Sequence, residues 1–267
     1  MNLSCEGLGV SYGDRPVLRE CTLSLDGGEL VFLLGVNGAG KSTLLKSMAG
    51  LLPPEAGRVR CGGEDVYDMP LRRRARLAAY LPQTAPDTDM AVLEYVLLGA
   101  APHLSFGAVP GREWEERGRS VLALLGAEAL AGRGMDSLSG GERQRAALAQ
   151  VLLTDARFLL LDEPAAGLDV RRQHEFLTLG RELAHSREKG VLVSAHDPNL
   201  ALRYGDRVCV LTWGRAETFE RTEELGGILA EALRESYGEA LCYGPCQAFD
   251  WREDERGENL CSLHETM

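Results

Sequence analysis

Long apolar stretches are missing from this 267-residue sequence. A helix that crosses a bilayer needs about 20 consecutive apolar residues, whereas the run from Tyr95 to Pro102, among the longest here, has eight. Residues 1–6 also lack the basic segment and the apolar segment that make up a secretory signal. We therefore expect a chain without a membrane span that stays in the cytosol.

An excess of positive charge is also absent, because 29 Lys and Arg residues stand against 40 Asp and Glu residues and give a net charge of −11. Such a chain has no net positive electrostatic potential that would attract a phosphodiester backbone or an anionic lipid surface. Nucleic acid is therefore not expected as a partner. The content of 45% hydrophobic and 26% charged residues is typical of a globular protein. The length favours one large domain or two small ones.

A paired cysteine framework is the third absence. The chain has seven cysteines, which is an odd number. Cys5, Cys21, Cys61 and Cys209 are scattered through segments with the composition of a core. This distribution favours reduced, buried thiols over disulfides.

The segments that are present alternate between short aliphatic runs and longer helical patterns, which predicts an α/β fold with a mainly parallel sheet. The predicted strand and helix pairs are Leu30–Leu34 with Ser42–Met48, Phe158–Leu161 with Val170–Arg187, and Val191–Ala195 with Pro198–Tyr204. Val17–Leu25 runs into Asp26-Gly27-Gly28, and Val59–Cys61 runs into Gly62-Gly63. We interpret these two runs as antiparallel strands, joined by glycine turns, of a second and smaller sheet.

Helical patterns replace the strand patterns between Gln83 and Arg157. Val92–Leu98, Trp114–Leu125 and Glu142–Leu153 are typical of helices, and we interpret this stretch as a helical insertion. After Tyr237 the regular pattern ends, and the remaining residues form a tail in which acidic residues outnumber basic ones.

A phosphate-binding loop is predicted at residues 35–43, which fit G-x-x-x-x-G-K-[ST] between an apolar strand and a helix. In this pattern backbone N–H groups curl around an anion, and the positive end of the following helix faces it. Lys41 is expected to neutralise the outer phosphates and the Ser42 hydroxyl to bind Mg²⁺. The alternative is a simple glycine turn, which would not require a lysine and a hydroxyl at the positions of Lys41 and Ser42. The expected nucleotide contacts are Gly35, Asn37, Gly38, Gly40, Lys41, Ser42 and Thr43.

Two adjacent carboxylates, Asp162 and Glu163, follow the buried strand Phe158–Leu161. A strand beside the loop strand would deliver Asp162 to the Mg²⁺ shell. Glu163 would then face the terminal phosphate, where it could polarise an attacking water. The alternative is that both acids only provide negative charge at a helix N-terminus.

Leu138-Ser139-Gly140-Gly141-Glu142-Arg143-Gln144-Arg145 resembles the signature of ATP-binding-cassette (ABC) ATPases. A helix that opens at Ser-Gly-Gly can present a hydroxyl and N–H groups to a phosphate, and a plain serine cap with flexible glycines is the alternative. The resemblance extends from Leu3 to about Tyr237. It implies a P-loop NTPase (RecA-like) core with a small antiparallel β subdomain and a helical insertion subdomain.

The same resemblance implies a single ABC ATPase domain over residues 1–267. The β subdomain and the nucleotide-binding core would occupy residues 1–83 and 158–237, and the helical subdomain with the signature would occupy residues 84–157. Residues 238–267 would be the tail.

Further positions match family landmarks, and their roles are implied by the resemblance. Tyr12 would stack on adenine, and Gln83 would touch Mg²⁺ and the attacking water. His196 would contact the γ-phosphate, and Asp169 lies in the loop that would meet the opposite subunit. The plainer alternatives are a strand tyrosine, a surface glutamine and a structural histidine. Three residues depart from the family's commoner choices, namely Val36, Glu142 and Gly167.

In this family, the phosphate loop of one subunit and the signature of another close around the same ATP. The resemblance therefore implies a homodimer with two composite sites, each completed by Ser139, Gly140 and Gly141 of the second copy. ATP would close the pair and hydrolysis would reopen it. The implied cofactors are ATP and Mg²⁺, the latter held by Ser42, Gln83 and Asp162. The implied catalytic residues are Glu163, His196 and Gln83.

A single cassette without a membrane span is similar to the separate ATPase subunit of an importer. Residues 80–83, 99–103 and 194–201 are similar to importers of iron–siderophore, haem and cobalamin complexes. The resemblance implies a membrane permease as partner, an extracytoplasmic binding protein reached through it, and a peripheral position on the cytoplasmic face of the membrane. The basic run Arg72–Arg76 favours the solvated face of a helix over contact with a permease, lipid or nucleic acid.

Non-transport alternatives remain. Cassette ATPases that assemble iron–sulfur clusters have a similar size. Cassette proteins of DNA repair or translation are disfavoured because the chain has no long heptad insertion, second cassette or net positive charge. An inactive ATP-binding module is disfavoured by Lys41, Asp162, Glu163 and His196, which are all in place.

Four potential ligands lie in the tail, at Cys242, Cys246, Cys261 and His264. A Cys₃His set suits zinc, although this spacing is not a recognised zinc pattern. The alternative is an acidic tail whose thiols are incidental in a reducing cytosol.

Overall fold

Strands and helices alternate through the part of the chain that the computed structural model describes, which is residues 1–166, 168–237, 241–243 and 248–251. The strands are β1 (Asn2–Tyr12), β2 (Arg15–Asp26), β3 (Leu30–Leu34), β4 (Ala56–Cys61), β5 (Glu64–Asp65), β6 (Ala78–Leu81), β7 (Phe158–Leu161), β8 (Gly190–Ala195), β9 (Arg207–Thr212), β10 (Arg215–Glu220), β11 (Leu241–Tyr243) and β12 (Phe249–Trp251). The helices are α1 (Lys41–Met48), α2 (Leu71–Leu77), α3 (Val92–Leu97), α4 (Arg112–Leu124), α5 (Gly140–Leu153), α6 (Val170–Arg187), α7 (Pro198–Tyr204) and α8 (Leu225–Tyr237).

A six-stranded sheet in the order β10-β9-β3-β8-β7-β6 forms the centre of the fold. Its strands are parallel except β10, which pairs antiparallel with β9. In β3, Leu30, Phe32 and Leu34 face one hydrophobic core, while Val31 and Leu33 face a second. Both faces of the sheet are therefore covered, which is why its strands are continuous apolar runs. The mainly parallel sheet predicted from the sequence is confirmed.

A four-stranded antiparallel sheet, β2-β1-β4-β5, packs against one face of the central sheet. The turn at Gly62-Gly63 closes the β4–β5 hairpin, in which Cys61 pairs with Glu64. The interpretation of the turn at residues 26–28 as a connection within the smaller sheet is wrong. It joins β2 to β3 in the other sheet, because β2 pairs instead with β1.

Three helices, α3, α4 and α5, occupy the region predicted to be a helical insertion. They share the core on the opposite face of the central sheet, to which Val96 of α3, Leu122 of α4 and Val151 of α5 contribute buried side chains. Gly118 of α4 allows close packing, because a Cβ there would lie 3.2 Å from Leu93. The predicted helical character of this stretch is confirmed.

The segment after Tyr237 contains regular structure that the sequence interpretation did not expect. Strands β11 and β12 pair antiparallel, with Leu241 opposite Trp251. Leu241 and Phe249 are buried in the same core as Leu229 and Leu233 of α8. Two three-residue strands carry too short an apolar pattern to be recognised from sequence, and burial against α8 provides the missing stabilisation.

The thiols of Cys5, Cys21, Cys61 and Cys209 are free and buried, as predicted. Burial raises the pKa of Cys209 to about 12, so this thiol stays protonated. The basic run lies on α2, where Arg72 and Arg73 are exposed and Arg73 pairs with Glu64. Arg72 and Arg73 thus lie on the solvated helix face expected for this run, whereas Arg74 is half-buried and donates from Nη1 to the Gly50 carbonyl oxygen at 3.0 Å. None of the helices in the described ranges is long and apolar enough to cross a membrane.

Two glycines of the core are predicted to respond oppositely to alanine. At Gly190 a Cβ would lie 2.5 Å from Phe158 and 2.7 Å from the Asp26 carbonyl oxygen, so Gly190→Ala is expected to lower the free energy of unfolding by about 2 kcal/mol. Gly180→Ala is the matched control, because its Cβ would meet nothing closer than Leu30 at 4.0 Å inside helix α6. It is expected to raise stability by about 0.5–1 kcal/mol. Urea denaturation measures both, and equal losses would contradict this packing.

Candidate functional site

The predicted site residues collect at one edge of the central sheet. The phosphate loop follows β3, Gln83 follows β6, Asp162 follows β7 and His196 follows β8. Because these four strands are parallel, their carboxyl ends lie together, which is where ligands bind in open α/β sheets.

The phosphate loop takes a conformation that only glycine allows at two positions. Gly35 has φ 156°, and a Cβ there would lie 2.6 Å from the Leu211 carbonyl oxygen. Gly40, with φ 105°, caps α1. Lys41 and Ser42 thereby fall in the first turn of the helix, whose N–H groups and dipole favour an anion. Asn37 and Gly38 at the outer part of the loop are exposed.

Lys41 lies at the centre of the cluster with its side chain 4% exposed. Its Nζ donates to the carbonyl oxygens of Gly35 at 2.6 Å and Val36 at 3.3 Å, and it lies 3.8 Å from Glu163 Oε1. Burial lowers the pKa of Lys41, while the charges of Glu163 and Asp162 oppose that shift. The loop thus holds a buried cation that can exchange its backbone acceptors for phosphate oxygens.

Glu163 is held by the two predicted residues beside it. Its Oε1 lies 2.5 Å from His196 Nε2, and its Oε2 accepts a hydrogen bond from Gln83 Nε2 at 2.8 Å. The hydrogen bond with His196 lowers the pKa of Glu163 against the opposing effect of burial. The carboxylate therefore stays ionised at neutral pH and can accept a proton or a hydrogen bond from water.

Asp162 is 2% exposed, and two hydroxyl groups hold it. Ser194 Oγ donates to Oδ1 at 2.8 Å, and the Tyr80 hydroxyl donates to Oδ2 at 3.0 Å. The sequence reasoning assigned no role to Tyr80 or Ser194. The signal lies in the strand register, because Leu161 pairs with Val193, so that Asp162 and Ser194 come level at the ends of neighbouring strands.

Ser139 caps the signature helix, α5, in a reciprocal arrangement with Glu142. Its Oγ donates to Glu142 Oε2 at 2.7 Å, and the same carboxylate oxygen accepts from the Ser139 backbone N–H at 2.9 Å. These hydrogen bonds lower the pKa of Glu142. Gly140 is exposed, and a Cβ there would meet nothing within 4 Å, so no packing within the described chain requires glycine at this position.

Five of the predicted site residues lie apart from the Lys41 cluster, which is formed by Lys41, Glu163, His196 and Gln83; they are Tyr12, Ser139, Gly140, Gly141 and Asp169. Tyr12, the last residue of β1, is 53% exposed, and Asp169 caps α6 by accepting from the Arg172 N–H. Within the described ranges, no hydrogen bond or ion pair joins Tyr12, Ser139 or Asp169 to the cluster. Gly167 and the tail residues Cys246, Cys261 and His264 lie outside the described residues, as does the side chain of Cys242.

The donor set suits Mg²⁺ together with a nucleotide. Ser42, Asp162 and Gln83 offer hydroxyl, carboxylate and amide oxygens, which are the ligand types that Mg²⁺ prefers. In the described part of the chain, no cluster of three His, Cys, Asp or Glu side chains is arranged to hold a metal ion. The site fits Mg²⁺ in the manner of P-loop enzymes, where phosphate oxygens complete the shell.

A glycine loop leading into a buried lysine, with two carboxylates at the end of a neighbouring strand, defines a P-loop nucleotide-binding domain. Comparison with known proteins narrows the class. The family model described as ABC transporter matches residues 18–166, more than half of the chain. The chain is 40% identical over 221 residues to the hemin import ATP-binding protein of Gloeobacter violaceus, covering 80% of this chain and 79% of that protein. It therefore belongs to the ABC transporter family.

Solved structures agree with this assignment. A metal-chelate type ABC transporter in an inward-facing conformation matches with a TM-score of 0.75 and 27% identity, over 93% of this chain and 94% of the other. A dimeric ATP-binding cassette in a post-hydrolysis state, bound to ADP and phosphate, matches with a TM-score of 0.75 and 27% identity, over 82% and 99% of the two chains. The chain is accordingly an ATPase, and the α/β P-loop fold predicted from its sequence is confirmed.

Proposed function

We propose that this chain is the ATP-binding and ATP-hydrolysing subunit of an importer for iron–siderophore, haem or cobalamin-type complexes. The observation that carries the ATPase chemistry is the cluster of Lys41, Glu163, His196 and Gln83. In it a buried cation faces the loop and an ionised carboxylate is oriented by two side chains. A cation for phosphate and a base for water are the two groups that hydrolysis of a nucleoside triphosphate requires.

Each residue of the site has a separate role in binding or hydrolysing ATP. Gly35 to Thr43 bind the phosphates, with Lys41 neutralising the outer ones. Ser42, Asp162 and Gln83 hold Mg²⁺, which when bound offsets the charge of the phosphates. Glu163 accepts hydrogen bonds from the attacking water, and His196 keeps Glu163 oriented and contacts the terminal phosphate. Tyr12 stacks on the adenine, where aromatic stacking contributes about 1–3 kcal/mol.

We infer that a second copy of the chain completes each site. The hydroxyl of Ser139 and the uncrowded backbone at Gly140 lie at the N-terminus of α5, which favours binding of an anion. In the described chain, Ser139 and Gly140 make no hydrogen bond to the Lys41 cluster. Because glycine has no side chain, another molecule can approach the backbone at Gly140 closely. The matching cassette bound to ADP and phosphate is dimeric. Asp169 and Gly141 would lie at the same interface.

The proposed division of the chain follows from these roles. Residues 1–83 and 158–237 bind the nucleotide, residues 84–157 present the signature to the partner subunit, and residues 238–267 follow, with β11 and β12 packed against α8. The homodimer would bind a membrane permease at the cytoplasmic face of the membrane, and an extracytoplasmic binding protein would deliver the cargo to that permease. The hemin import relative and the metal-chelate transporter support this cargo class.

The experiment that tests transport is isolation of the tagged protein from its own cells in mild detergent, followed by identification of what comes with it. Recovery of a permease with many membrane spans is the expected result. Recovery of a soluble iron–sulfur scaffold without any membrane protein would replace the importer with the cluster-assembly alternative. The Glu163→Ala variant, in which the ATPase is disabled, should recover the same permease, because docking does not require turnover.

Glu142→Gln is predicted to strengthen ATP-dependent dimerisation. The Glu142 carboxylate binds the Ser139 hydroxyl and would stand beside the phosphate of the partner's ATP, where two negative charges repel. Glutamine keeps an oxygen acceptor for the helix cap and removes the charge. We expect a dimer dissociation constant lower by about twofold to fivefold with a non-hydrolysable ATP analogue.

Sedimentation velocity over a range of protein concentrations measures this change. Glu116→Gln is the control, because Glu116 pairs only with Arg112 on the exposed face of α4 in the described structure. Dimerisation of Glu142→Gln that equals the wild type or is weaker would contradict the predicted repulsion.

A further inference from the structure

Two carboxylates, Asp162 and Glu163, follow β7, and each is contacted by one side chain from either side of that strand. From β6 and the loop after it, Tyr80 contacts Asp162 and Gln83 contacts Glu163. From β8 and the loop after it, Ser194 contacts Asp162 and His196 contacts Glu163. Each acid is thus held from both sides, and only the contacts to Glu163 come from residues with an assigned role.

We propose that Tyr80 and Ser194 are positioning residues that orient the Asp162 carboxylate toward the Mg²⁺ that accompanies ATP. The inference rests on the proposed function and extends it to two residues to which no role has been given.

The contacts of Asp162 restrict its rotation. One hydroxyl donates to each of the two carboxylate oxygens, at 2.8 Å from Ser194 and 3.0 Å from Tyr80. Each oxygen keeps a further lone pair with which it can bind a cation. Because Asp162 and Ser194 are 2% and 1% exposed, water does not compete freely for these contacts.

Ser194 also links the two acids. Its Oγ accepts a hydrogen bond from the Glu163 backbone N–H at 2.8 Å while its proton goes to Asp162. Glu163 has φ 47°, a left-handed conformation that is unusual for a residue other than glycine. The hydrogen bond from its N–H helps to hold that conformation. The Ser194 hydroxyl therefore holds both the Asp162 side chain and the Glu163 backbone at the end of β7.

Tyr80 contributes a donor that keeps its proton. A phenol has an ordinary pKa of about 10, well above physiological pH. The phenol can therefore only donate to the carboxylate at physiological pH. Partners of this kind that orient a metal ligand typically affect metal affinity by about 10–100-fold when removed.

The test is the Mg²⁺ dependence of nucleotide binding, measured with a fluorescent, non-hydrolysable ATP analogue so that no turnover is required. Ser194→Ala and Tyr80→Phe are each expected to raise the Mg²⁺ concentration at half-saturation by about tenfold. Affinity for the analogue without Mg²⁺ should stay unchanged, because the phosphate loop is intact. Ser194→Thr, which keeps a hydroxyl, is expected to restore most of the wild-type Mg²⁺ dependence.

Tyr67→Phe is the matched control for loss of a half-buried phenol. The Tyr67 hydroxyl donates to the carbonyl oxygens of Ser47 and Leu52 and has no contact with Asp162. This variant is expected to lower the melting temperature and leave the Mg²⁺ half-saturation point where it is.

Unshifted Mg²⁺ curves for folded Ser194→Ala and Tyr80→Phe would overturn the positioning role. If Ser194→Ala fails to fold, Tyr80→Phe decides alone, since its ring still fills the space. If the wild type does not bind the analogue at all, the proposed nucleotide site fails, whereas wild-type binding that does not depend on Mg²⁺ would overturn this inference.

Discussion

Glu163→Gln is expected to lower the rate of ATP hydrolysis by about 10²–10⁴ while ATP still binds. The amide has nearly the same shape and can still contact Gln83, but it cannot accept a proton from the attacking water. It also loses the charge that the hydrogen bond from His196 stabilises in the native protein. Phosphate release at saturating ATP measures the rate, and a fluorescent ATP analogue measures binding.

In the proposed cycle hydrolysis reopens the pair, so the same variant should accumulate as a closed dimer with ATP. Glu29→Gln is the matched control, since that carboxylate is 15% exposed, compared with 11% for Glu163, and is also ion-paired, with Arg207. It removes a carboxylate charge far from the site and should leave hydrolysis per folded molecule intact. Gel filtration of Glu163→Gln with ATP that shows only monomer would contradict the gating role of hydrolysis.

Lys41→Ala is expected to weaken ATP binding by about 10²-fold, which corresponds to roughly 3 kcal/mol. Lys41 is the buried cation of the phosphate loop, and its Nζ donates to the carbonyl oxygens of Gly35 and Val36. Lys41→Ala should still fold, because the desolvation that lowers the pKa of Lys41 offsets part of the stability that its pairing with Glu163 contributes.

Lys189→Ala is the control for this change. Lys189 is 12% exposed and binds the Asp155 carboxylate and the Ala156 carbonyl oxygen, away from the phosphate loop. It should leave ATP affinity unchanged. Retention of wild-type ATP affinity by folded Lys41→Ala would show that the nucleotide binds elsewhere.

The sequence predicts those parts of the fold whose secondary structure is determined by a local residue pattern. Phe158–Leu161 and Val170–Arg187 begin and end as strand and helix at the predicted residues, because continuous apolar character and helical periodicity do not depend on a distant partner. The Lys41 loop was recognisable for the same reason, since its glycines, lysine and hydroxyl are adjacent in sequence.

The features that sequence reasoning missed depend on pairing between distant segments. Ser194 meets Asp162 only because of the register between β7 and β8, which no local pattern contains. The Asp26-Gly27-Gly28 turn is typical of a hairpin, yet it leads into another sheet because β2 already has β1 as its partner. Strands β11 and β12 are stabilised by burial against α8, which is a tertiary effect.

In the proposed dimer one chain supplies the phosphate loop and the other supplies the signature, and mixing two inactive variants tests this arrangement. Lys41→Ala disables the loop, and Gly140→Asp places a negative charge where the partner's phosphate would bind. Aspartate fits at Gly140 without strain, because nothing lies within 4 Å of its Cβ and a helix N-terminus tolerates an acid.

Each variant alone should hydrolyse almost no ATP. In an equal mixture, half of the dimers carry one intact composite site, so the mixture is expected to recover about a quarter of the wild-type rate if the sites act independently. Wild-type hydrolysis by Gly140→Asp alone, or no recovery on mixing, would contradict a site shared between two copies.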